Sequence, residues 1–113
     1  MHEYSIVQSL INSCEGYVEE HGASRVVKVV VKIGVMSGVE PHLLQVAFDT
    51  FKEATVCEGC EFVVTIQRVK IQCKSCHKES ELSKNEYLCP ACRSADIAII
   101  DGEEMMLMQL ELE

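Results

Sequence analysis

Cys73, Cys76, Cys89 and Cys92 form two Cys-x-x-Cys pairs with twelve residues between them. Two such pairs supply the four thiolates of a tetrahedral Zn²⁺ site, a metal that prefers sulfur cages of this spacing. With all four positions taken by protein, no coordination site is left for a substrate, so the expected role of the zinc is structural. The polar stretch between the pairs, with Glu79, Ser80, Glu81, Ser83, Lys84, Asn85 and Glu86, turns the chain back on itself. On this reading the metal holds a small loop that has no core of its own.

A third pair, Cys57 and Cys60, precedes Cys73 with the same twelve-residue gap. The intervening residues decide which pairs share the metal. Phe62 to Ile71 is rich in β-branched residues and free of Gly, Pro, Asn and Asp; as a strand it holds Cys60 and Cys73 about 40 Å apart. Zinc is therefore assigned to the later two pairs. Cys57 and Cys60 are read as buried thiols at a helix-to-strand corner, and Cys14 as core on an apolar helical face. The cysteine count of seven is odd, and neither a signal sequence nor an apolar run of membrane-spanning length is seen. A reducing cytoplasm is expected, where such pairs favour metal over disulfide.

Met1-His2-Glu3 carries a second metal chemistry. A bulky second residue hinders removal of the initiator methionine, so a free Met1 amine is expected. Amine, His2 amide and His2 imidazole then close five- and six-membered chelate rings, with the Glu3 amide or carboxylate as a further donor. An all-nitrogen set of this kind suits Ni²⁺ or Cu²⁺ in tetragonal geometry. A histidine at position 2 is more often incidental, and these three residues alone leave both readings open. His21, His42 and His77 have plain surface or helix-end readings; His77, directly after Cys76, is also placed to replace a thiolate ligand in acid.

Charge narrows the partners. The 113 residues carry a formal charge of −8, with −4 in residues 1–69 and −4 in residues 70–113. Four thiolates with one Zn²⁺ add a further negative charge of two. Nucleic-acid binding needs a basic stripe and stacking aromatics; the chain has no such stripe, three Phe, three Tyr and no Trp. Anionic membranes are disfavoured on the same ground.

These groups need a scaffold, and the pattern predicts one. Val7, Leu10, Ile11, Cys14 and Val18 mark a helix over residues 4–21 closed by Gly22. Residues 25–33 read as a strand with Val27, Val29, Val31 and Ile33 on one face. Pro41 starts a second helix through about residue 54, burying Leu44, Ala47, Phe48 and Phe51. A strand over 61–71 changes parity near Arg68, which marks a bulge or a departure from the sheet. Met106, Met108, Leu110 and Leu112 form the inward face of a closing strand. The expected fold is α+β: a three-stranded sheet with two helices on one face and an inserted zinc ribbon. Residues 1–69 with 99–113 make the first domain, and residues 70–98 the ribbon.

The combination of Met1-His2-Glu3-Tyr4-Ser5, Ile33-Gly34-Val35-Met36-Ser37, Phe48-Asp49, Glu58-Gly59-Cys60 and the two later cysteine pairs resembles the HypA family over essentially the whole chain. That resemblance implies a nickel metallochaperone for [NiFe] hydrogenase maturation, without enzymatic activity. It places nickel on His2 with the Met1 amine and the backbone of His2 and Glu3, and zinc on Cys73, Cys76, Cys89 and Cys92. It implies as partners the HypB GTPase, the hydrogenase large subunit and, in some bacteria, a urease accessory protein. A monomer or weak homodimer is expected. Cys57 departs from the family, in which a single cysteine often stands at the position of Cys60. The alternative is a zinc-ribbon interaction module without nickel transfer.

Overall fold

The structure, a computed structural model, describes residues 2–83 and 86–113. In chain order the elements are α1 (His2–Glu20), β1 (Val26–Gly34), α2 (Pro41–Phe51), β2 (Glu61–Gln67), β3 (Lys70–Cys73), β4 (Glu79–Glu81), β5 (Ile97–Asp101) and β6 (Met105–Leu112). They build two three-stranded sheets, ordered β2-β1-β6 and β4-β3-β5. In the first, β1 runs parallel to β2 and antiparallel to β6.

α1 forms because its apolar residues recur at helical spacing. Val7, Leu10, Ile11, Cys14 and Val18 are all buried, and each larger aliphatic side chain contributes about 1.5–3 kcal/mol relative to exposure. The helix stops at Gly22, whose φ of +63° suits a residue without Cβ. Ala23 N–H donates to Val18 C=O at 2.9 Å and Gly22 N–H to Glu19 C=O at 3.3 Å, the paired bonds of a glycine-closed helix end. α2 begins as Pro41 predicts, with the Glu40 side chain accepting from Leu43 N–H at 2.7 Å. It ends at Phe51, three residues earlier than expected, and Phe51 is 41 % exposed rather than core. Its ring instead meets Tyr4 edge-on at 5.2 Å. Phe48 carries the helix onto the sheet, fully buried and stacked on Phe62 at 4.1 Å; truncation to Ala costs about 3–5 kcal/mol.

Two faces differ from simple alternation, each at a register shift against the neighbouring strand. In β1 the buried hydrophobic residues are Val26, Val29, Val31 and Ile33, so Val26 replaces Val27, and the β1–β6 register shifts between Val26 and Lys28. In β6 the residues packed on the core are Met105, Leu107, Leu110 and Leu112. Met106 and Met108, expected inward, are 46 % and 53 % exposed. Here Val30 pairs with Gln109 and Val31 with Leu107, leaving Met108 as an extra residue that reverses the parity.

The long strand expected over 61–71 is two strands in two sheets, broken at Arg68-Val69 where its parity changes. The ribbon is not coreless: Val69, Ile71, Leu82, Cys73 and Cys89 are buried together, with Ile97 and Ile99 against them. The chain enters the ribbon through Arg68-Val69 and returns through Gly102, and the turn after β1 binds both passages. Val35 N–H donates to Gln67 C=O (3.0 Å), Met36 N–H to Gly102 C=O (2.8 Å) and Gly34 N–H to Glu104 C=O (3.0 Å). A Cβ on Gly34 would lie 2.3 Å from the Gly102 carbonyl, and one on Gly102 would lie 2.8 Å from Val69 Cα. Lys32 and Asp101 add an ion pair across the junction at 2.8 Å.

Candidate metal centre

The four ribbon cysteines converge. The Sγ atoms of Cys73, Cys76, Cys89 and Cys92 all lie within 4.8 Å of one another. A regular tetrahedron with zinc–sulfur distances of about 2.3 Å has edges of about 3.8 Å. The hydrogen-bonded pairs Cys73–Cys92 and Cys76–Cys89 stand at 3.5 and 3.7 Å, close to that edge. The donor set and its size therefore fit Zn²⁺.

Each pair is shaped by the same backbone turn. Cys73 N–H donates to Lys78 C=O, and His77 N–H returns to Cys73 C=O; Cys89 N–H donates to Ser94 C=O, and Arg93 N–H returns to Cys89 C=O. His77 and Arg93, the residues after each second cysteine, both adopt positive φ, +63° and +66°. That turn aims backbone N–H groups at sulfur. Ser75 and Cys76 N–H point to Cys73 Sγ at 3.3 and 3.4 Å, and Cys92 N–H points to Cys89 Sγ at 3.5 Å.

These donors favour thiolate. The Cys76 N–H holds the Cys73 thiol down at about 6, against burial and with help from Ser75 N–H. Cys89 is lowered, chiefly by Cys92 N–H. For Cys92, the Ser94 N–H pulls downward but the proton shared with Cys73, together with burial, outweighs it and lifts the thiol to about 12. A Zn²⁺ ion held by these four sulfurs would displace that proton. His77 is exposed, and the four clustered donors are all sulfur. Its backbone placement is accounted for by the turn it shares with Arg93.

Cys57 and Cys60 lie in the other core, as does Cys14. The Cys57 thiol beside Cys14 lowers Cys14 and is raised by it in turn, and burial raises Cys57 further. Burial comes first in lifting Cys60 to about 11, with the neighbouring Cys57 next. The loop around them is built by its own polar contacts: Glu58 accepts from Ala54 N–H at 2.6 Å, and Thr55 Oγ1 accepts from Cys57 N–H at 3.1 Å.

The expected nickel donors on Met1 and on the His2 side chain lie outside the described residues. α1 starts at His2, and the first N–H groups of a helix have no intrahelical acceptor. The Glu3 carboxylate is committed elsewhere. Glu3 is 9 % exposed and accepts from Glu40 N–H at 3.4 Å, tying the start of α1 to the start of α2. Sequence pattern gave no sign of this tether, because Glu3 and Glu40 are 37 residues apart. His42 is exposed in the first turn of α2, and His21 is exposed just past the end of α1.

Residues 1–112 match the family model described as "HypA: Hydrogenase/urease nickel incorporation, metallochaperone, hypA". The hydrogenase maturation factor HypA of Aquifex aeolicus (strain VF5) is 55 % identical over 113 residues, covering 100 % of this chain and 98 % of that protein. The protein of the same name from Shewanella sp. (strain MR-7) is 50 % identical, covering 100 % and 96 %. Among solved structures, the Ni metallochaperone HypA from Helicobacter pylori matches with a TM-score of 0.68 at 35 % identity, covering 97 % of this chain and 96 % of that one. A second solution structure of HypA matches with a TM-score of 0.76 at 35 % identity, covering 100 % and 97 %.

Proposed function

Because the chain belongs to the HypA family of hydrogenase and urease nickel-incorporation metallochaperones, we propose that it carries Ni²⁺ at the start of α1 and delivers it during hydrogenase assembly. The observation that carries this reading is the whole-chain family match, which takes in Met1-His2-Glu3 as well as both ribbon cysteine pairs. The Met1 amine, the His2 imidazole and the backbone nitrogens of His2 and Glu3 are the proposed nickel donors. Cys73, Cys76, Cys89 and Cys92 are the proposed zinc ligands, and zinc in place neutralises repulsion among their thiolates.

The local physics suits a cargo that must leave. A helix N-terminus is the positive end of the backbone dipole and by itself repels a cation. Deprotonated amide nitrogens reverse that repulsion, so retention depends on their proton state. Glu3 keeps the first turn of α1 anchored to α2 while its amide stays outside the helical ladder. Nickel can therefore bind and leave at the end of an element whose buried stripe is untouched. The β2-β1-β6 sheet with its two helices acts as the nickel module, and the β4-β3-β5 sheet, from Val69 to Asp101, as the ribbon. The proposed setting is the cytoplasm, with the HypB GTPase, the hydrogenase large subunit and, in some hosts, a urease accessory protein as partners.

The test is a nickel titration of the zinc-loaded protein with its native start, beside His2→Ala and a form extended by a few residues. Specific nickel binding is expected only for the native protein, with zinc content and helical signal equal in all three. Equal specific binding in the extended form overturns an amine-anchored site, and no specific nickel binding in any form favours the zinc-ribbon interaction module.

A further inference from the structure

The four ribbon cysteines do not meet solvent equally. Cys73 and Cys89 are fully buried, Cys76 is half-buried and Cys92 is exposed. Pro90 and Ala91, which lead into Cys92, are small and themselves exposed, so they offer it no cover. The two buried sulfurs are also the ones at which the Ser75, Cys76 and Cys92 N–H groups point. Such hydrogen bonds draw charge from a thiolate and make it a weaker nucleophile. A thiol that coordinates a metal is deprotonated outright, and among thiolates the exposed one is the first to be oxidised. Burial and hydrogen bonding thus single out the same residue. Cys92 also has a second sulfur within reach, since Cys73 Sγ lies 3.5 Å from its own.

We propose that Cys92 is a modification site for peroxide built into the ribbon, with Cys73 as its resolving partner. This rests on the assignment of zinc to the quartet and is independent of nickel carriage. In the first step the Cys92 thiolate attacks one peroxide oxygen; an S–O bond forms, the O–O bond breaks, and hydroxide leaves. The product is a sulfenic acid. The Cys73 thiolate then attacks the Cys92 sulfur; the S–S bond forms, the S–O bond breaks, and a second hydroxide leaves. Two electrons pass from the two sulfurs to one peroxide, and solvent protonates the hydroxides. Cys76 and Cys89 remain as the last two thiolates, too few for a site that takes four donors. The ribbon then loosens, because Cys73 and Cys89 belong to its core. The other three cysteines are set apart from this chemistry: Cys14 and Cys57 are fully buried, and Cys60 nearly so, in the first core.

The test treats the full-length, reduced, zinc-loaded protein with hydrogen peroxide in the absence of nickel. A chromogenic chelator reports zinc release, dimedone traps sulfenic acid, and peptide mass spectrometry locates adducts and disulfides. Stoichiometric zinc before peroxide is expected and checks the ligation by itself; without it, both readings fall. With zinc in place, dimedone is expected on Cys92. Without dimedone, a Cys73–Cys92 disulfide is expected in step with zinc release, reversed by a dithiol reductant and added zinc. Amides of β3 and β5 should lose exchange protection on oxidation while those of β1 keep theirs. Cys92→His keeps a four-donor zinc set and is expected to slow release about tenfold, because the remaining thiolates are less exposed. Cys76→His is expected to release zinc at the parental rate. Should the Cys92 variant not take up zinc, the adduct position in the unsubstituted protein decides. A first adduct on another ribbon cysteine, a disulfide confined within one Cys-x-x-Cys pair, or parental release from Cys92→His each overturns the proposal.

Discussion

Cys57-x-x-Cys60 and Cys73-x-x-Cys76 have the same spacing, yet the fold gives them opposite chemistry. The first pair lies in an aliphatic core beside Cys14, where burial favours the neutral thiol and lifts Cys60 to about 11. The second sits on a turn whose N–H groups point at sulfur, and Cys73 falls to about 6. A cysteine pair thus becomes a metal knuckle through the turn that follows it. Where His77 and Arg93 take positive φ and return an N–H to the first cysteine, the sulfurs are aimed outward together. Gly59, the positive-φ residue of the earlier pair, instead lies between its cysteines.

Breaking the second group has the largest expected effect. Cys89→Ser removes one thiolate, and structural zinc sites of this kind contribute about 10–16 kcal/mol of apparent binding energy. Zinc content should fall to near zero and amides of β3 and β5 should lose exchange protection, while β1 amides keep theirs. Loss of protection in β1 as well would mean that the first core depends on the metal.

The second comparison uses the metal-stripped protein and a thiol alkylating agent. With Cys73 near 6 and Cys60 near 11, the thiolate fractions at pH 8 differ by on the order of a thousandfold. Once metal removal loosens the ribbon and exposes the quartet, Cys73 should be modified ahead of Cys60, slowing as pH falls through about 6, and Cys60 should resist until the protein unfolds. The sign for stability follows. The lowered Cys73 contributes stability present above its ordinary value and lost as pH falls through the folded one. The raised Cys60 contributes stability present below its ordinary value and lost as pH rises through about 11. Early modification of Cys60 would erase the contrast.

The smallest effect sharpens it. Cys57→Ser buries a hydroxyl among aliphatic side chains and should cost about 1–3 kcal/mol in denaturant unfolding, with zinc stoichiometry unchanged. A change in zinc binding would show that the two groups communicate.

How much was legible follows the range of the cause. The clustered cysteine quartet, the glycine that ends α1 and the proline that starts α2 are local signals, and they stand where spacing put them. The inward faces of β1 and β6 were misread because their parity is reset at register shifts set by pairing, which neither strand shows alone. The ribbon core was missed for a related reason: Val69, Ile71, Leu82, Ile97 and Ile99 are scattered through polar sequence and meet only when three short strands pair. α2 ran short because the chain turns at Lys52–Thr55, where Thr55 N–H donates to Lys52 C=O and Ala54 takes a φ of +62°; Phe51 meets Tyr4 at the surface rather than the core.

The crossing of Gly34 and Gly102 has a mechanical consequence. Two tethers pinned side by side in a gap too narrow for a methyl group resist twisting far more than a single tether would. Torque on the ribbon would strain both passages at once. A sulfur-held ion mounted this way keeps a constant bearing relative to the sheet, as a signpost does on two bolts.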